Sequence, residues 1–310
     1  MTQRSALGPT AVFATSLVIF GTIGLVRRAI DLPSAFIAAS RGVIGAATIA
    51  LIVVAMRRSV ARGFDWPFVR ANWKLLAFSG IALGLNWAWL FQAYQYTTIA
   101  TAQLMLYMGP IFVIVLSPFL LHERLSGFKV ACVVVAFVGL LLVSVFNTAV
   151  PATENPNHLL GVFNGLLAAC GYTSVVIATK KLKPTSSDGT IDPYTNTVAQ
   201  LVFCSVVLIP YSLLVDDWFA PGVLTFTPKT VFFLALICVV YTGINYILFF
   251  GPVPHLSAQT IAVLSYLDPA VALTVSAVFL HEPLGVAGAI GAVLIIGAAM
   301  VSEITPARKL

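Results

Sequence analysis

Residues 107–125 of this chain recur at residues 266–284, and the offset of 159 residues holds from one end of the segment to the other. The two copies share a tyrosine, a proline, a serine and a His-Glu pair, and the register extends upstream. The matched residues are Tyr107 and Tyr266, Pro110 and Pro269, Ser117 and Ser276, His122-Glu123 and His281-Glu282, Gly84 and Gly243, Asn86 and Asn245, and Phe91 and Phe250. An internal repeat of this kind predicts a fold built from two related halves.

The composition places this repeat in a membrane. Of the 310 residues, 59% are hydrophobic and only 9% are charged, and the mean hydropathy of +0.99 lies outside the range of soluble domains. Apolar runs long enough to cross a hydrocarbon core of roughly 30 Å occur ten times. They cover residues 9–28, 33–56, 74–95, 98–121, 127–146, 159–179, 193–215, 229–250, 256–280 and 284–302. The predicted fold class is an all-α integral membrane protein with ten transmembrane helices.

Five of these runs fall in each half, and we place the halves at residues 1–150 and 151–310. Because five is odd, the second half must enter the membrane from the side opposite to the first, so the two repeats are inverted. Inverted repeats place a binding site near the bilayer midplane, and their symmetry allows two similar conformations that face opposite sides. The sequence therefore predicts a secondary transporter that works by alternating access.

The distribution of Lys and Arg predicts the orientation, because cytoplasmic connections carry an excess of both residues. With a cytoplasmic N-terminus, all but four of the 17 lie in segments that face the cytoplasm. The exceptions are Arg27, Arg28 and Lys229 in outer segments and Arg41 within the second run. Both termini are therefore predicted to be cytoplasmic. The net charge of +6 follows from this topology, so membrane lipid is an expected partner and nucleic acid is not.

The sequence offers little support for a cofactor or a metal. The four cysteines, at positions 132, 170, 204 and 238, lie within apolar runs, where small apolar packing is their usual role. The sequence has no phosphate-binding loop of the Gly-x-x-x-x-Gly-Lys-Ser/Thr type, so we expect a gradient and not ATP to drive transport. Either a proton gradient or the gradient of the substrate itself would serve.

Two charged residues lie deep within apolar runs, where a charge requires a partner or water. Arg41 lies about eight residues into the second run, and it could bind a substrate carboxylate or form a structural ion pair. Asp268 lies near the middle of the ninth run beside Pro269, where it could bind a substrate ammonium group, carry a coupling proton or pair with Arg41. The matching positions in the other half hold Gln200 and Gly109, so the site is predicted to be asymmetric.

Uncharged polar and aromatic side chains complete the predicted cavity. They are two asparagines at matched repeat positions, a Gln-Tyr pair on one helix face in each of the fourth and ninth runs, and two tyrosines deep in the sixth and eighth runs. The asparagines could either lock helix crossings or line the cavity, whereas the tyrosines could stack on an aromatic or cationic substrate. With Arg41 and Asp268, the predicted substrate-binding residues are Asn86, Gln103, Tyr107, Tyr172, Asn245, Tyr246, Gln259 and Tyr266.

The fifth and tenth runs contain almost no polar side chain, so we expect them to face lipid or to form a homodimer. Gly285, Gly288 and Gly291 in the tenth run would allow another helix to approach closely. The two His-Glu pairs lack the second histidine four residues later that a zinc helix requires, and we expect them to anchor or cap the helix that follows.

These features together resemble the drug/metabolite transporter superfamily, in particular its ten-helix EamA-type exporters. The resemblance covers essentially the whole chain and rests on short segments that recur in order. They are Ala38-Ala39-Ser40-Arg41-Gly42, Leu106-Tyr107-Met108-Gly109-Pro110, Leu264-Ser265-Tyr266-Leu267-Asp268-Pro269, Glu123-Arg124-Leu125 and Glu282-Pro283-Leu284. The resemblance implies a basket-shaped bundle in a bacterial inner membrane and secondary transport, commonly the export of amino acids or related metabolites.

The predicted function is therefore export of small amphipathic metabolites, with aromatic and other neutral amino acids placed first. The same fold could instead export cationic drugs or quaternary amines, and Arg41 would then be dispensable for recognition. A membrane-embedded enzyme is the rival from another class, with His122 and His281 as its catalytic groups. Their predicted positions on opposite faces of the membrane argue strongly against that reading.

Overall fold

The computed structural model describes residues 7–60, 64–97, 99–146, 157–185, 191–279 and 286–304, and all regular secondary structure in these ranges is helical. In the first half the helices are α1 (Leu7–Gly21), α2 (Ile23–Arg28), α3 (Ser34–Val60), α4 (Trp66–Tyr96), α5 (Ile99–Leu106), α6 (Gly109–Leu120) and α7 (Gly127–Phe146). Two pairs, α1 with α2 and α5 with α6, each form one interrupted span. The first half therefore crosses the membrane five times, as predicted.

The second half repeats this order. Its helices are α8 (His158–Lys180), α9 (Pro193–Val215), α10 (Pro228–Leu236), a π-helical segment (Ile237–Ile244), α11 (Asn245–Phe250), α12 (Ala258–Leu264), α13 (Leu267–Phe279) and α14 (Val286–Ile304), with a 3₁₀ turn at Val253–His255. The span from α10 to α11 is continuous through the π-helical segment, and α12 and α13 form one interrupted span. The predicted fold class, ten membrane helices in two inverted repeats, is confirmed.

The bundle exposes apolar side chains on its outside, which is the arrangement that a lipid solvent requires. Six helical spans within the described residues are long and apolar enough to cross a membrane by themselves, and shorter apolar helices accompany them. Large apolar side chains cover the outer faces. Examples are Leu51, Phe119, Val206 and Val293, each more than 60% exposed.

The third span begins earlier than the hydropathy pattern predicts, at residue 66 and not at residue 74. Asp65 caps α4 by accepting a hydrogen bond from the Phe68 amide at 2.9 Å, and Pro67 occupies the first turn, where its missing N–H is harmless. The first turns of α4 carry exposed Arg70 and Lys74. The helix therefore extends past the apolar layer, and hydropathy alone did not detect that polar extension.

The two halves interlock instead of packing as separate bodies. Helix α4 of the first half packs against α8 and α9 of the second, while α3 packs against α9 and the π-helical segment and α1 packs against α11 and α13. Small residues make these crossings close. An added Cβ would lie 2.5 Å from the Gln200 carbonyl oxygen at Gly80 and 3.0 Å from the Ala82 carbonyl oxygen at Gly171. Because glycine has no side chain, the backbones of neighbouring helices can come into contact at these positions across the boundary between the halves.

Helices α7 and α14 pack mainly against each other, with smaller contacts to α5, α12 and α13. A Cβ at Gly139 would lie 2.7 Å from the Gly291 carbonyl oxygen, so this glycine contact joins the fifth span to the tenth within one chain. Their outer faces expose Val134 and Val293. Of the predicted small-residue positions, Gly285 lies outside the described residues.

We name the two ends of the bundle after Asp216 and Lys180. The Asp216 end holds the start of α3 and the ends of α4 and α9, and the Lys180 end holds the end of α8 and the starts of α9 and α12.

We predict that Gly80→Ala destabilises the protein, because the new methyl group would meet the Gln200 carbonyl oxygen and the Phe203 Cβ, both at 2.5 Å. Overpacking of this kind costs about 1–3 kcal/mol. The melting temperature in detergent should fall. It is measured as the temperature at which the monodisperse peak in size-exclusion chromatography is lost.

Gly24→Ala is the matched control, because Gly24 has open space around its Cβ position. Its melting temperature should stay the same or rise slightly, since alanine favours a helix over glycine by about 1 kcal/mol. Equal losses in the two variants would contradict the close contact between α4 and α9.

Candidate functional site between two interrupted helices

The fourth and ninth spans are both interrupted near their middle, at matched places in the repeat. The first break lies at Tyr107 and Met108 between α5 and α6, and the second lies at Ser265 and Tyr266 between α12 and α13. In each case a proline follows closely, and because proline has no N–H the helical hydrogen-bond ladder is lost there. Discontinuous helices at corresponding positions of two inverted halves are the usual location of a transporter binding site.

Residues that match in the repeat touch each other here. The rings of Tyr107 and Tyr266 have centroids 6.3 Å apart, and those of Trp87 and Tyr246, also 159 residues apart, lie 5.9 Å apart. A residue can contact its own symmetry mate only close to the symmetry axis. These two pairs therefore mark the pseudo-twofold axis between the halves.

Asp268 lies immediately after the second break, in the first turn of α13. Its Oδ2 accepts a hydrogen bond from the Tyr107 hydroxyl at 3.2 Å, and the Tyr266 hydroxyl donates to the Tyr107 carbonyl oxygen at 3.1 Å. The two breaks are thus tied together by reciprocal tyrosine contacts. Asp268 remains partly exposed, whereas Tyr266 is fully buried.

The first half has no carboxylate at the matching position because that space is filled. A Cβ at Gly109 would lie 2.7 Å from Cδ1 of Tyr172, so the Tyr172 ring packs directly on the glycine. The Tyr172 hydroxyl is hydrogen bonded to Ser265 Oγ at 2.7 Å. Gln103, one turn before the first break, donates to the Tyr94 hydroxyl at 2.5 Å. The predicted residues Gln103, Tyr107, Tyr172 and Asp268 are therefore brought together around Tyr94.

Arg41 lies on α3 against the π-helical segment. Its Nε donates to Thr242 Oγ1 at 2.9 Å, and its Cζ lies 4.2 Å from the centroid of the Trp87 ring. The Thr242 hydroxyl also donates to the Ile237 carbonyl oxygen five residues earlier, at 3.0 Å, which is the spacing of a π-helical turn. This local unwinding presents Thr242 to Arg41, and the cation is held by an aromatic face and a hydroxyl.

No ion pair joins Arg41 to Asp268, both of which the structure describes. Within the described ranges the guanidinium has no carboxylate at ion-pair distance, so the structural pairing considered from the sequence is absent. Both charges nevertheless act on Tyr246, which lies on α11 within electrostatic reach of each. Tyr246 also packs edge-on against Phe20 at 5.1 Å and lies 5.3 Å from Phe250. The site therefore has a cationic side, an anionic side and an aromatic boundary.

The two predicted asparagines face the packing between the halves. Asn86 Nδ2 donates to the Ala168 carbonyl oxygen of α8 at 2.7 Å, and Asn245 Nδ2 donates to the Ser16 carbonyl oxygen of α1 at 3.0 Å. Each bond crosses from one half to the first span of the other. Both side chains are buried, so in this conformation they fasten helices and present no open surface.

Gln259 lies apart from Tyr94, Tyr107 and Tyr172, which we call the tyrosine cluster, and is found near the start of α12 at the Lys180 end. Its Oε1 accepts from the Ser126 amide at 3.0 Å, and its Nε2 donates to the Arg124 carbonyl oxygen at 2.8 Å. The Gln259 side chain therefore forms its hydrogen bonds with the connection between α6 and α7.

A polar latch closes the same end, and it consists of Glu123, Lys180, Leu256 and Ala258. Lys180 Nζ forms an ion pair with Glu123 Oε1 at 2.9 Å and donates to the Leu256 carbonyl oxygen, and Glu123 Oε2 accepts from the Ala258 amide at 2.8 Å. Glu123 therefore caps α12, the ninth span, and not α7, the helix that follows it. The matching pair, His281-Glu282, lies outside the described residues.

A cavity of about 220 Å³ opens at the Asp216 end. We call it the vestibule, and its lining includes Ser34, Ala35, Phe91, Tyr94, Tyr211 and Asp216. Burial raises the pKa of the Asp216 carboxyl above its usual value, and hydrogen bonds from Ser212 and the Phe36 amide offset only part of that rise. Tyr94 belongs both to the vestibule and to the tyrosine cluster, so it stands between the two.

Sequence reasoning missed Tyr94 and Thr242 as parts of this site. Tyr94 lies in an aromatic-rich stretch near a span end, which is typical of an interfacial belt. Trp87 lies in the same aromatic-rich stretch, although its repeat match to Tyr246 could have placed it near the axis. A π-helical turn has no sequence signal of its own, so nothing pointed to Thr242. No group of three or more His, Cys, Asp or Glu side chains among the described residues could hold a metal ion.

Comparisons with known proteins agree with this architecture. The chain is 27% identical over 294 residues to Uncharacterized transporter YxxF of Bacillus subtilis, covering 87% of this chain and 83% of that protein. It is 26% identical over 274 residues to Uncharacterized transporter YvbV of the same organism, covering 85% and 80%. A protein of known crystal structure shares the fold with a TM-score of 0.77 at 19% identity, over 96% of this chain and 97% of that one.

The model of the EamA-like transporter family matches the chain twice, once over residues 8–145 and again over residues 159–303. These two matches correspond to the two sets of five spans seen in the structure. The chain therefore belongs to the EamA-like transporter family of the drug/metabolite transporter superfamily, and it is a multi-pass membrane transporter.

Proposed function

We propose that this transporter exports amino acids, with aromatic and other neutral ones first, through the site between the interrupted helices. The observation that carries the proposal is the separation of two unlike charges across one aromatic site. Arg41 is held by Thr242 and Trp87, Asp268 is held by Tyr107, and neither charge is neutralised by the other. A solute that carries both a carboxylate and an ammonium group would complement both.

The energetics favour a zwitterion over a singly charged solute. A charge buried in the membrane without a counter-charge is costly, and the site has two such charges of opposite sign. A carboxylate would meet the planar guanidinium of Arg41, which can bind it through two hydrogen bonds. An ammonium group would meet Asp268. A solute with one charge would leave the opposite side of the site without a partner.

The aromatic boundary favours an apolar side chain on that solute. Tyr246 and Trp87 contact each other at 5.9 Å near the pseudo-twofold axis and are buried in this conformation, whereas Tyr172 and Tyr94 are partly exposed and lie within electrostatic reach of Asp268. Offset or edge-on packing of a substrate ring against such side chains contributes about 0.5–1.5 kcal/mol beyond its buried area. This supports aromatic amino acids over small polar ones.

Alternating access supplies the mechanism. The described conformation has the vestibule at the Asp216 end and the latch at the Lys180 end. If the Lys-rich end is cytoplasmic, as the positive-inside rule predicts, this is a conformation closed toward the cytoplasm. The latch joins the α6–α7 connection of the first half to α8 and α12 of the second, so opening that end requires the ion pair to break. The gradient that drives export would be that of the substrate, or of protons carried by Asp268.

We predict that Arg41→Gln and Asp268→Asn each reduce counterflow of labelled phenylalanine in proteoliposomes by roughly 10- to 100-fold. The reason is that a hydrogen bond to a charged group contributes about 1.5–3 kcal/mol. Unlabelled phenylalanine should compete better than phenethylamine or 3-phenylpropionate, each of which lacks one of the two charges. Repeating the assay with and without a pH gradient tests coupling to protons.

Matched controls remove the same charges at exposed positions. Arg70→Gln on α4 and Asp217→Asn after α9 should leave the exchange unchanged. The amide in Arg41→Gln is the group that the second half carries at the matching position, Gln200. If folded Arg41→Gln still exchanges phenylalanine at the wild-type rate, the amino acid proposal fails.

A transporter of organic cations is the second candidate, and one observation favours it. The Tyr107 hydroxyl contacts the Asp268 carboxylate at 3.2 Å, and Tyr94 and Tyr172 lie within electrostatic reach of it. Aromatic side chains of this kind are the ones with which proteins hold ammonium groups. In that case phenethylamine would be exchanged, Asp268→Asn would abolish exchange, and Arg41→Gln would not affect it.

We predict that Lys180→Met loosens the Lys180 end. Removal of the ammonium group leaves Glu123 without its ion-pair partner and frees the Leu256 carbonyl oxygen. Hydrogen–deuterium exchange of the amides in residues 253–264 should become roughly 10-fold faster or more, since the lost charged hydrogen bonds contribute about 1.5–3 kcal/mol each.

Lys181→Met removes the neighbouring, exposed ammonium group and should leave this exchange unchanged. Equal exchange in wild type and Lys180→Met would show that the latch does not hold this end closed.

A further inference from the structure

The vestibule lies outside the site formed by Arg41 and Asp268, and it has a carboxylate of its own. We propose that the vestibule is a second binding site, for the ammonium group of an amine-bearing solute, centred on Asp216. A role for this site on the substrate path rests on the proposed function, but amine binding at Asp216 can be measured without transport.

Asp216 is built to stay in place and still accept a cation. Its Oδ2 accepts hydrogen bonds from the Phe36 amide at 2.5 Å and from Ser212 Oγ at 3.1 Å, and Trp218 Nε1 fixes that hydroxyl at 2.8 Å. The described residues give Oδ1 no hydrogen bond or ion pair. Asp216 is also the C-cap residue of α9, so its carboxylate lies near the helix C-terminus, where the helix dipole adds negative potential.

Among the side chains that the structure describes, no cation lies at ion-pair distance from the Asp216 carboxylate. The Arg27 guanidinium donates to the carbonyl oxygens of Ile30 and Leu32 and to Ser34 Oγ, at 2.8, 3.3 and 2.9 Å. It also interacts with Asp31. The Arg27 guanidinium therefore binds the connection between α2 and α3 and the first residue of α3. A small ammonium group in the vestibule would meet Asp216 first.

The walls and the size of the vestibule suit a small amine. Phe91, Tyr94 and Tyr211 supply aromatic surface, and a cation near such rings gains about 0.5–2 kcal/mol. The volume of about 220 Å³ is below the range of roughly 300–1,000 Å³ that accommodates drug-sized ligands. One amino acid or a simple aromatic amine is the size class that fits.

Tyr94 connects this site to the inner one. Its hydroxyl accepts the hydrogen bond from Gln103 on α5, and it lies within electrostatic reach of Asp268. An ammonium group at Asp216 is therefore separated from Asp268 by the Tyr94 side chain. Asp216 and Asp268, on either side of Tyr94, would therefore bind the same ammonium group one after the other.

The test measures binding of phenethylamine to purified protein in detergent by isothermal titration calorimetry. Asp268→Asn removes the inner carboxylate, so binding that persists in this variant reports the vestibule. Adding Asp216→Asn should then weaken that binding at least 10-fold. The amide oxygen of asparagine can still accept from the Phe36 amide and Ser212, so the melting temperature should hold. 3-Phenylpropionate, which has no ammonium group, should not bind.

Asp217→Asn in the same Asp268→Asn background is the matched control, because it removes an equal charge from the next, exposed residue. It should bind phenethylamine as Asp268→Asn alone does. Equal affinity in the Asp216 and Asp217 variants would overturn the proposal, and so would the absence of binding in Asp268→Asn. Amine binding that depends on Asp216 in a protein that does not exchange phenylalanine would refute the amino acid proposal and leave the vestibule standing.

Discussion

A backbone inside a membrane must satisfy its own hydrogen bonds, and this protein interrupts two membrane-spanning helices near their middle. The interruptions at Tyr107 and at Tyr266 are tolerated because each lies against the other half. The Tyr266 hydroxyl bonds to the Tyr107 carbonyl oxygen, and Tyr107 bonds to Asp268. The interlocking of the halves follows from this need, since α8 packs against α5 and α6 on either side of the first break, and α1 packs against α12 and α13 on either side of the second. Irregular backbone and partly exposed polar groups thus occur together near the pseudo-twofold axis.

The scaffold is symmetric, but its chemistry is not. Asn86 and Asn245 make equivalent bonds to the first span of the opposite half, and the two tyrosines meet at the axis. The charges occur once each: Arg41 faces the π-helical segment, and Asp268 stands where Gly109 in the other half is covered by Tyr172. A symmetric frame can exchange two conformations of similar energy, while an asymmetric site gives the solute one orientation. We consider this division central to the proposed amino acid transport.

The sequence predicted the fold well because its signals are local. Apolar run length predicted the spans, the fixed offset of matched residues predicted the repeat, and the odd number of spans in each half predicted its inversion. The site was harder, because the direction of a polar side chain depends on the helices around it. Arg41, Asp268 and four of the tyrosines came together near the axis, whereas Gln259 bonds to the α6–α7 connection and the asparagines bond across the halves. Asp216 lies just past the end of α9, where an acidic residue looks like an ordinary solvated loop position.

The most direct measurement is a crystal or cryo-electron microscopy structure with bound 4-bromophenylalanine, located by the anomalous scattering or the density of its bromine. The proposed amino acid transport predicts the carboxylate against the Arg41 guanidinium, the ammonium group near Asp268 and the ring beside Tyr246 and Trp87. A ligand bound in the inner site without contact to Arg41, or an ion pair between Arg41 and Asp268 in the occupied protein, would contradict it.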